Sequence, residues 1–414
     1  MKRHLIGIGG VGMSALATAL VRLGDEVTGA DRTLGTKNIR FLESLGIRCF
    51  PDDGSGIDAA TDEVIVSTAI EDTNPGLAKA KELGIPVTHR AKALARTLKD
   101  YDLVAVVGTC GKSTVTAMLG HVLAECGLDP MCVNGANVPG WEGAVRFGKG
   151  RYAVAEVDES DKSLVAFKPY AAVVTNASAD HYSKEEMDEV FDAFVKDMPG
   201  PLVEGRKTYG EAEVSVPGKH NRNNAFLALQ MALALGCDEA KARAALLSFK
   251  GVERRLQRIN PSTQASHHPT LVPAVYDDYA HNPEKLHAMW TTLAEAHPAG
   301  ICVVWRPHGY APLRKMLDAL AQMFAETIRL CDKLLLLPVY DAGGTTDRSI
   351  NSAALIEKLK DPPFNLPPST FDLVPDLDAA YDWMKAHKGD YAAFVTCGAR
   401  DPGLPLLARR LAEA

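Results

Sequence analysis

Lys112 and Ser113, within 108-GTCGKST-114, have the types and spacing that state a chemistry most directly. An ammonium reaching the β- and γ-phosphates, a hydroxyl holding Mg²⁺ and loop N–H groups around the phosphates would bind ATP. The residues concerned are Gly108, Thr109, Cys110, Gly111, Lys112, Ser113 and Thr114. The usual loop carries a further glycine at the position of Val106, so this is a variant form, and a ligand-free glycine turn is the plain alternative. Downstream, 156-EVDESD-161 sets four carboxylates in six residues, which repel one another unless a cation or ligand compensates. A divalent metal site answers that repulsion; a solvated charged turn is the bland reading. Asp180 and His181, in 175-TNASADHY-182, follow the next apolar run, at the strand edge where open α/β sheets bind ligands.

A second phosphate-type turn precedes these. In 7-GIGGVG-12 the glycines Gly7, Gly9 and Gly12 follow an apolar run and open a helical one, which lets backbone N–H groups approach a diphosphate. Asp31 stands about 20 residues on, where an acid can bind a ribose hydroxyl. The same glycines could merely pack a helix on a strand. Asn221 and Asn224, in 218-GKHNRNNA-225, could read a base or cap a helix. Arg254 and Arg255 in 251-GVERRLQRI-259 could clamp phosphate or lie exposed at a helix end. The turn 277-DDYAHNPEKL-286 offers Asp278, Tyr279 and His281 to a ribose or nucleophile.

The elements that must position these groups alternate. Strands at His4–Ile8, Glu26–Gly29 and Glu63–Ser67 interleave with helices at Met13–Leu23 and Lys37–Leu45. The pattern restarts with strand Leu103–Val107, helix Lys112–Cys126 and strands Tyr152–Val157 and Ala171–Thr175, then helices at Lys184–Val195, Asn223–Leu235 and Asp238–Ser248. A third block runs from strand Leu271–Asp277 through helix Pro283–Ala296, strand Ile301–Trp305, helix Pro312–Glu326 and strand Lys333–Pro338 to strand Ala392–Thr396 and helix Gly403–Leu411. Such alternation predicts βαβ units, parallel sheets and an α/β fold in three domains. Boundaries are expected near Lys99–Tyr101 and after the 251–259 motif, giving domains 1–99, 100–254 and 255–414.

Composition narrows the partners. With 46% hydrophobic residues and a formal charge of -7 without a basic run, the chain favours small molecules over nucleic acid or an anionic membrane. Eight scattered cysteines without a CxxC pair suit reduced thiols in the cytoplasm. The glycine-interrupted N-terminus reads as a first strand and helix rather than a signal peptide, and no run reaches a membrane span.

Together, HLIGIGGVGMSALA, VIVSTAIEDTNPGLAKAKELGIPVTHRAKALA, VVGTCGKSTVTAML, AEVDESDKS, VVTNASADH, GKHNRNNAFLAL, GVERRL, DDYAHNP and RPHGY resemble, in order, the Mur ligases, ATP-dependent amide ligases of peptidoglycan precursor synthesis. The likeness is strongest to the member that adds L-alanine to UDP-N-acetylmuramate. It implies an N-terminal Rossmann-like domain for the UDP-sugar, a central P-loop ATPase-like domain and a C-terminal Rossmann-like domain that brings the amino acid. A carboxylate would attack the γ-phosphate of ATP, and an amine would then attack the acyl phosphate. The resemblance puts Lys112, Glu156, His181, Arg255 and His281 in catalysis, and Ser113, Glu156 and His181 on Mg²⁺. It gives ATP the loop 108–114 with Asn221, Asn224, Arg255 and Asp278, and gives substrate Gly7, Gly9, Gly10, Val11, Gly12, Asp31, Ser67, Thr68, Ala69, Asn74, Tyr279, His308 and Arg314. A monomer or weak homodimer is implied.

The chain departs from that member in four places. Cys110 replaces a loop histidine; Gly309 and Pro312 stand where two arginines line the amino-acid site, leaving Arg314; the stretch from Asp197 to Gly218 is short; and Lys196 is only a candidate for the carbamylated lysine of other members. Alternatives are therefore a Mur-type ligase with another substrate, such as a peptide-recycling or non-peptidoglycan ligase, or a nucleotide-binding homologue without catalysis.

Overall fold

Three successive sets of short apolar strands build three sheets in the computed structural model, which describes residues 1–158, 163–177, 184–260, 273–341, 343 and 346–414. Asp180, His181 and the expected strand start at Leu271 lie outside the described residues. Contacts divide the chain into two compact units, residues 1–216 with 220–252 and residues 217–219 with 253–414.

In the first unit, strands β1 (Lys2–Ile6), β2 (Glu26–Asp31), β3 (Arg48–Pro51), β4 (Glu63–Val66) and β5 (Val87–His89) form a parallel sheet in the order β3-β2-β1-β4-β5. Helices α1 (Val11–Arg22), α2 (Lys37–Ser44), α3 (Pro75–Glu82) and α4 (Arg90–Thr97) connect it. The second sheet comprises β6 (Asp102–Val107), β7 (Met131–Val133), β8 (Val145–Arg146), β9 (Tyr152–Glu156), β10 (Ala171–Val174) and β11 (Leu202–Glu204), ordered β11-β10-β6-β9-β7-β8, with only β8 antiparallel. Helices α5 (Lys112–Glu125), α6 (Lys184–Val195), α7 (Lys219–Ala234) and α8 (Glu239–Ser248) accompany it.

Strand order decides where ligands can sit. β1 lies between β2 and β4, and β6 between β9 and β10, so each sheet reverses direction at the strand that feeds a glycine turn. Val104 and Val106 alternate with Leu103, Ala105 and Val107, and all are buried, because helices cover both faces of a parallel sheet. One core cluster runs from Leu5 of β1 and Leu16 of α1 to Leu103 and Ala105 of β6 and Phe191 of α6, so the first two sheets and their helices share one core.

The second unit carries β12 (Gln257–Arg258), β13 (Ala274–Asp278), β14 (Ile301–Trp305), β15 (Lys333–Leu336), β16 (Phe371–Leu373) and β17 (Ala393–Cys397) in the order β12-β13-β17-β14-β15-β16. All pairs but β12·β13 are parallel. Its helices are α9 (Pro283–Ala296), α10 (Tyr310–Thr327), α11 (Ser352–Lys360), α12 (Leu377–Ala386) and α13 (Gly403–Glu413). Trp290, Trp305 and Phe324 fill its core, and the Trp290 indole N–H donates to Asp332 (2.9 Å), which satisfies the one polar atom that this ring buries. No helix among the described residues is long and apolar enough to cross a membrane.

Candidate active site

The loop 108–114 leaves β6 and enters α5, whose N-cap is Gly111 with no side-chain cap. The first N–H groups of α5 therefore have no carbonyl one turn back and no capping oxygen. Two glycines are obligatory. Gly108 has φ +130° and Gly111 has φ +85°, and a Cβ would lie 2.1 Å from Thr175 Oγ1 at the first and 2.6 Å from Asn224 Oδ1 at the second. Those clashes also show what surrounds the loop: Thr175 and Asn176 from the exit of β10, and Asn224 from α7.

Asn176 grips the loop through its side chain. Its Oδ1 accepts from the Thr109 hydroxyl (2.7 Å) and the Cys110 N–H (2.9 Å), while its Nδ2 donates to the Cys110 carbonyl (3.1 Å). The Thr175 hydroxyl donates to the same carbonyl at 2.6 Å. No motif gives Thr175 or Asn176 a role; the sequence signal for them is their place immediately after an apolar strand, β10, which pairs with β6. Lys112 Nζ donates back to the Gly108 carbonyl (2.6 Å), so its ammonium lies over the loop. Ser113 and Thr114 are buried in the first turn of α5, and Asn221 and Asn224 are buried on α7.

Glu156 ends β9, in register with Val106 of β6. Its carboxylate accepts from the Gly135 N–H (2.8 Å) and, with Asp158, lines a cavity of about 370 Å³. The first glycine turn, through Gly7, Gly10, Val11 and Gly12, lines the same cavity, as do Ser67 and Ala69 beyond β4 and Arg90 of α4. One cavity thus receives the turn of the first sheet and the acidic strand end of the second. Helix α1 opens on it from Gly10, again with no side-chain cap, whereas Thr36, Asn74, His89 and Asp238 cap α2, α3, α4 and α8.

Several expected ligand groups have structural work here. Asp31 Oδ2 accepts from the Gly9 N–H (2.9 Å), Oδ1 accepts from the Thr33 N–H (3.0 Å), and the Asn38 amide donates to the Gly9 carbonyl (2.8 Å). Asn74 caps α3 through the Gly76 N–H (2.8 Å) and donates to Asp52 (2.9 Å). Neither Thr68 nor Asn74 lines the cavity. Lys196 is exposed beyond α6.

In the second unit, Arg255, Tyr279, His281 and His308 gather at the carboxyl ends of β13 and β14. Arg255 lies 5.2 Å over the Tyr279 ring, and the His281 and His308 rings meet edge to face at 4.8 Å. His281 Nδ1 donates to the Tyr279 carbonyl (2.9 Å). Burial lowers both histidines to about 4, so both are neutral imidazoles near neutral pH. The Asp278 oxygens accept from the Leu256 and Ala280 N–H groups (2.7 Å each), and burial raises its pKa. Arg254 is likewise committed, to Asp277 (3.0 Å) and the Gly398 carbonyl (2.5 Å). Arg314 stands apart on α10, paired with Asp347 at 2.8 Å.

Among the described residues no three metal-binding side chains cluster. Glu156, Asp158 and Ser113 nevertheless suit Mg²⁺, which takes one or two carboxylates and completes its shell with phosphate oxygens and water.

Two glycine-capped helix N-termini at the reversal points of two parallel sheets define a nucleotide-binding α/β protein. A family model described as the Mur ligase family catalytic domain matches residues 2–102, and one described as the Mur ligase glutamate ligase domain matches residues 254–400. The UDP-N-acetylmuramate–L-alanine ligase of Rubrobacter xylanophilus is 32% identical over 462 aligned positions, which cover 99% of this chain and 100% of that protein. That alignment is longer than the chain's 414 residues, so the chain lacks stretches that this relative carries. The crystal structure of the UDP-N-acetylmuramate–alanine ligase MurC of Thermotoga maritima superposes with a TM-score of 0.80 at 26% identity, covering 100% of this chain and 98% of that one. A murein peptide ligase of Psychrobacter arcticus shares the fold, with a TM-score of 0.67 at 19% identity, covering 100% of this chain and 99% of that one. The chain belongs to the Mur ligase family.

Proposed function

We propose that this chain is an ATP-dependent ligase that joins L-alanine to the carboxylate of UDP-N-acetylmuramate through an acyl phosphate, in peptidoglycan precursor synthesis. The observation that carries the reading is the cavity of about 370 Å³ lined both by the glycine-capped start of α1 and by Glu156 and Asp158. A nucleotide sugar anchored by its diphosphate at α1 would extend its carboxylate toward the acidic strand end, beside the strand that feeds the ATP loop. Lys112 and the α5 amides would neutralise charge on the transferred phosphoryl group. Mg²⁺, held by Ser113 and Glu156 with His181, would lower the repulsion between the two anionic reactants. Asn221 and Asn224 are assigned to the adenine.

The amine-side chemistry belongs, on this reading, to the strand-end residues of the second unit, Arg255, Tyr279, His281 and His308. Neutral imidazoles there could accept a proton from an ammonium nucleophile. We take the domains as 1–99, 100–254 and 255–414, and the protein as a cytoplasmic monomer or weak homodimer. The ion pair between Arg314 and Asp347, with Gly309 and Pro312 where arginines were expected, favours one second reading: the same mechanism with a different amine.

Phosphate release from ATP and Mg²⁺ with UDP-N-acetylmuramate, measured with each amino acid or short peptide in turn, tests both readings. Release that requires L-alanine supports the first, and release with another nucleophile moves the assignment to the second. Lys112→Ala should abolish it; a variant that still turns over ATP would sink the ligase reading.

A further inference from the structure

Arg254 and Leu256 hold φ +60° and +46°, the left-handed region that a residue with a Cβ enters only at a cost. Such a conformation persists where the surrounding bonds enforce it, and here they do. The Arg254 N–H donates to Gln257 Oε1 (3.0 Å), the Arg254 carbonyl accepts from the Tyr279 N–H (2.8 Å), and the Leu256 N–H donates to Asp278 (2.7 Å). The Leu256 side chain is buried in the core of the second unit. Arg255 therefore sits between two residues that are fixed to the exit of β13.

The Arg254 guanidinium closes the arrangement. It donates to Asp277 through Nε (3.0 Å) and to the carbonyls of Ala399 (3.2 Å) and Gly398 (2.5 Å) through Nη1 and Nη2, so one side chain ties the turn 254–256 to the ends of both β13 and β17. Asp277 is 1% exposed, and its other oxygen accepts from the Thr396 hydroxyl (2.8 Å). The guanidinium groups of Arg254 and Arg255 lie 5.3 and 5.2 Å from the centre of one ring, that of Tyr279. Two cations at one ring repel each other unless a carboxylate neutralises one of them, and Asp277 does this for Arg254. Arg255 has no ion pair among the described residues, so it is the uncompensated cation of the turn.

We propose that Arg254 is a positioning residue for Arg255: it closes the left-handed turn onto β13 and β17, gives its own charge to Asp277, and so holds the Arg255 guanidinium on the Tyr279 ring, where the reaction uses it. This assignment rests on the function proposed above, which places Arg255 and Tyr279 at the reaction, and adds to it a residue that touches no reactant. The two neighbouring arginines thus divide the work. One fixes the turn, and the other keeps its charge for an anionic reactant.

A double-mutant cycle on the full chain tests it, read as steady-state phosphate release from ATP and Mg²⁺ with UDP-N-acetylmuramate and the amine that supports release. Arg254→Gln should lower kcat about ten- to a hundredfold, as a small displacement of a reacting group does. In an Arg255→Ala background the same substitution should change kcat by less than about twofold, because the group it positions is gone. A residue that only stabilised the unit would cost the same factor in both backgrounds. Arg254→Gln alone leaves Asp277 buried without its cation, so Arg254→Gln with Asp277→Asn is measured beside it; the asparagine still accepts from the Thr396 hydroxyl, and the melting temperature should stay near that of the wild type while kcat falls as in the single variant. Arg254→Lys keeps a charge for Asp277 but lacks the fork that reaches both carbonyls, so it should recover part of the rate. Equal losses in the two backgrounds, wild-type kcat in Arg255→Ala, or wild-type kcat in the Arg254→Gln, Asp277→Asn protein would each overturn the assignment and leave the ligase reading standing. A wild-type protein that releases no phosphate with any amine would overturn the ligase reading and this assignment together.

Discussion

Asn176→Ala should weaken ATP binding although Asn176 lies 66 positions from Cys110 in the sequence and outside the glycine loop. Its amide makes three hydrogen bonds to Thr109 and Cys110. Each such bond contributes about 0.5–1.5 kcal/mol net, and water can replace part of it because Cys110 is only half-buried, so about 2 kcal/mol is the expected total. If that energy holds the loop in its phosphate-ready shape, its loss corresponds to about a 30-fold weaker affinity for ATP. Titration with a non-hydrolysable ATP analogue measures the affinity, and thermal unfolding with and without the analogue separates loop order from global stability. Asn176→Asp sharpens the test. It retains the acceptor for the Thr109 hydroxyl and Cys110 N–H, loses the donor to the Cys110 carbonyl, and sets a negative charge beside the phosphates, so binding should be weaker than in the alanine variant. An Asn176→Ala protein within about twofold of wild-type affinity, whatever its melting temperature, would refute the view that this side chain shapes the loop.

Cys110 bonds to Asn176 and Thr175 through its backbone N–H and carbonyl, so Cys110→Ala should leave steady-state ATP turnover within about threefold of wild type. The second unit should lose stability on acidification. His281 and His308 stay neutral in the folded chain down to about pH 4 but protonate below 6.5 when unfolded, so the unfolded state binds more protons across that window and stability falls as pH drops through it. Asp277, pushed up to about 6 by burial, and Asp278, also raised by burial, oppose this by holding protons in the folded state, whereas His297, lowered by burial, acts with His281 and His308. Urea unfolding followed by tryptophan fluorescence, to which Trp290 and Trp305 of this unit contribute, should show a shallower pH dependence in the His281→Gln, His308→Gln double variant.

The sequence by itself determined the repeated α/β pattern and the two glycine turns, because these depend on local rules: an apolar strand, a glycine where φ must be positive, then a helix. Helices α6 and α9 begin and end as the periodicity predicts, at Lys184–Val195 and Pro283–Ala296. The short strands β3, β5, β7, β8, β11, β12 and β16, two to four residues each, escaped that reading. So few residues carry almost no periodicity, and pairing with a neighbour strand defines them. Only the tertiary structure decided how the chemical groups are spent. Asp31 and Asn74 have the types of ligand-binding residues, but Asp31 holds the Gly9 N–H and Asn74 caps α3 and donates to Asp52. Asn176, given no role by its sequence context, grips the phosphate loop, because the parallel pairing of β10 with β6 brings it there. The cavity that joins the first glycine turn to Glu156 exists because two sheets share one core, and a shared core is a contact between residues remote in sequence that no local pattern encodes.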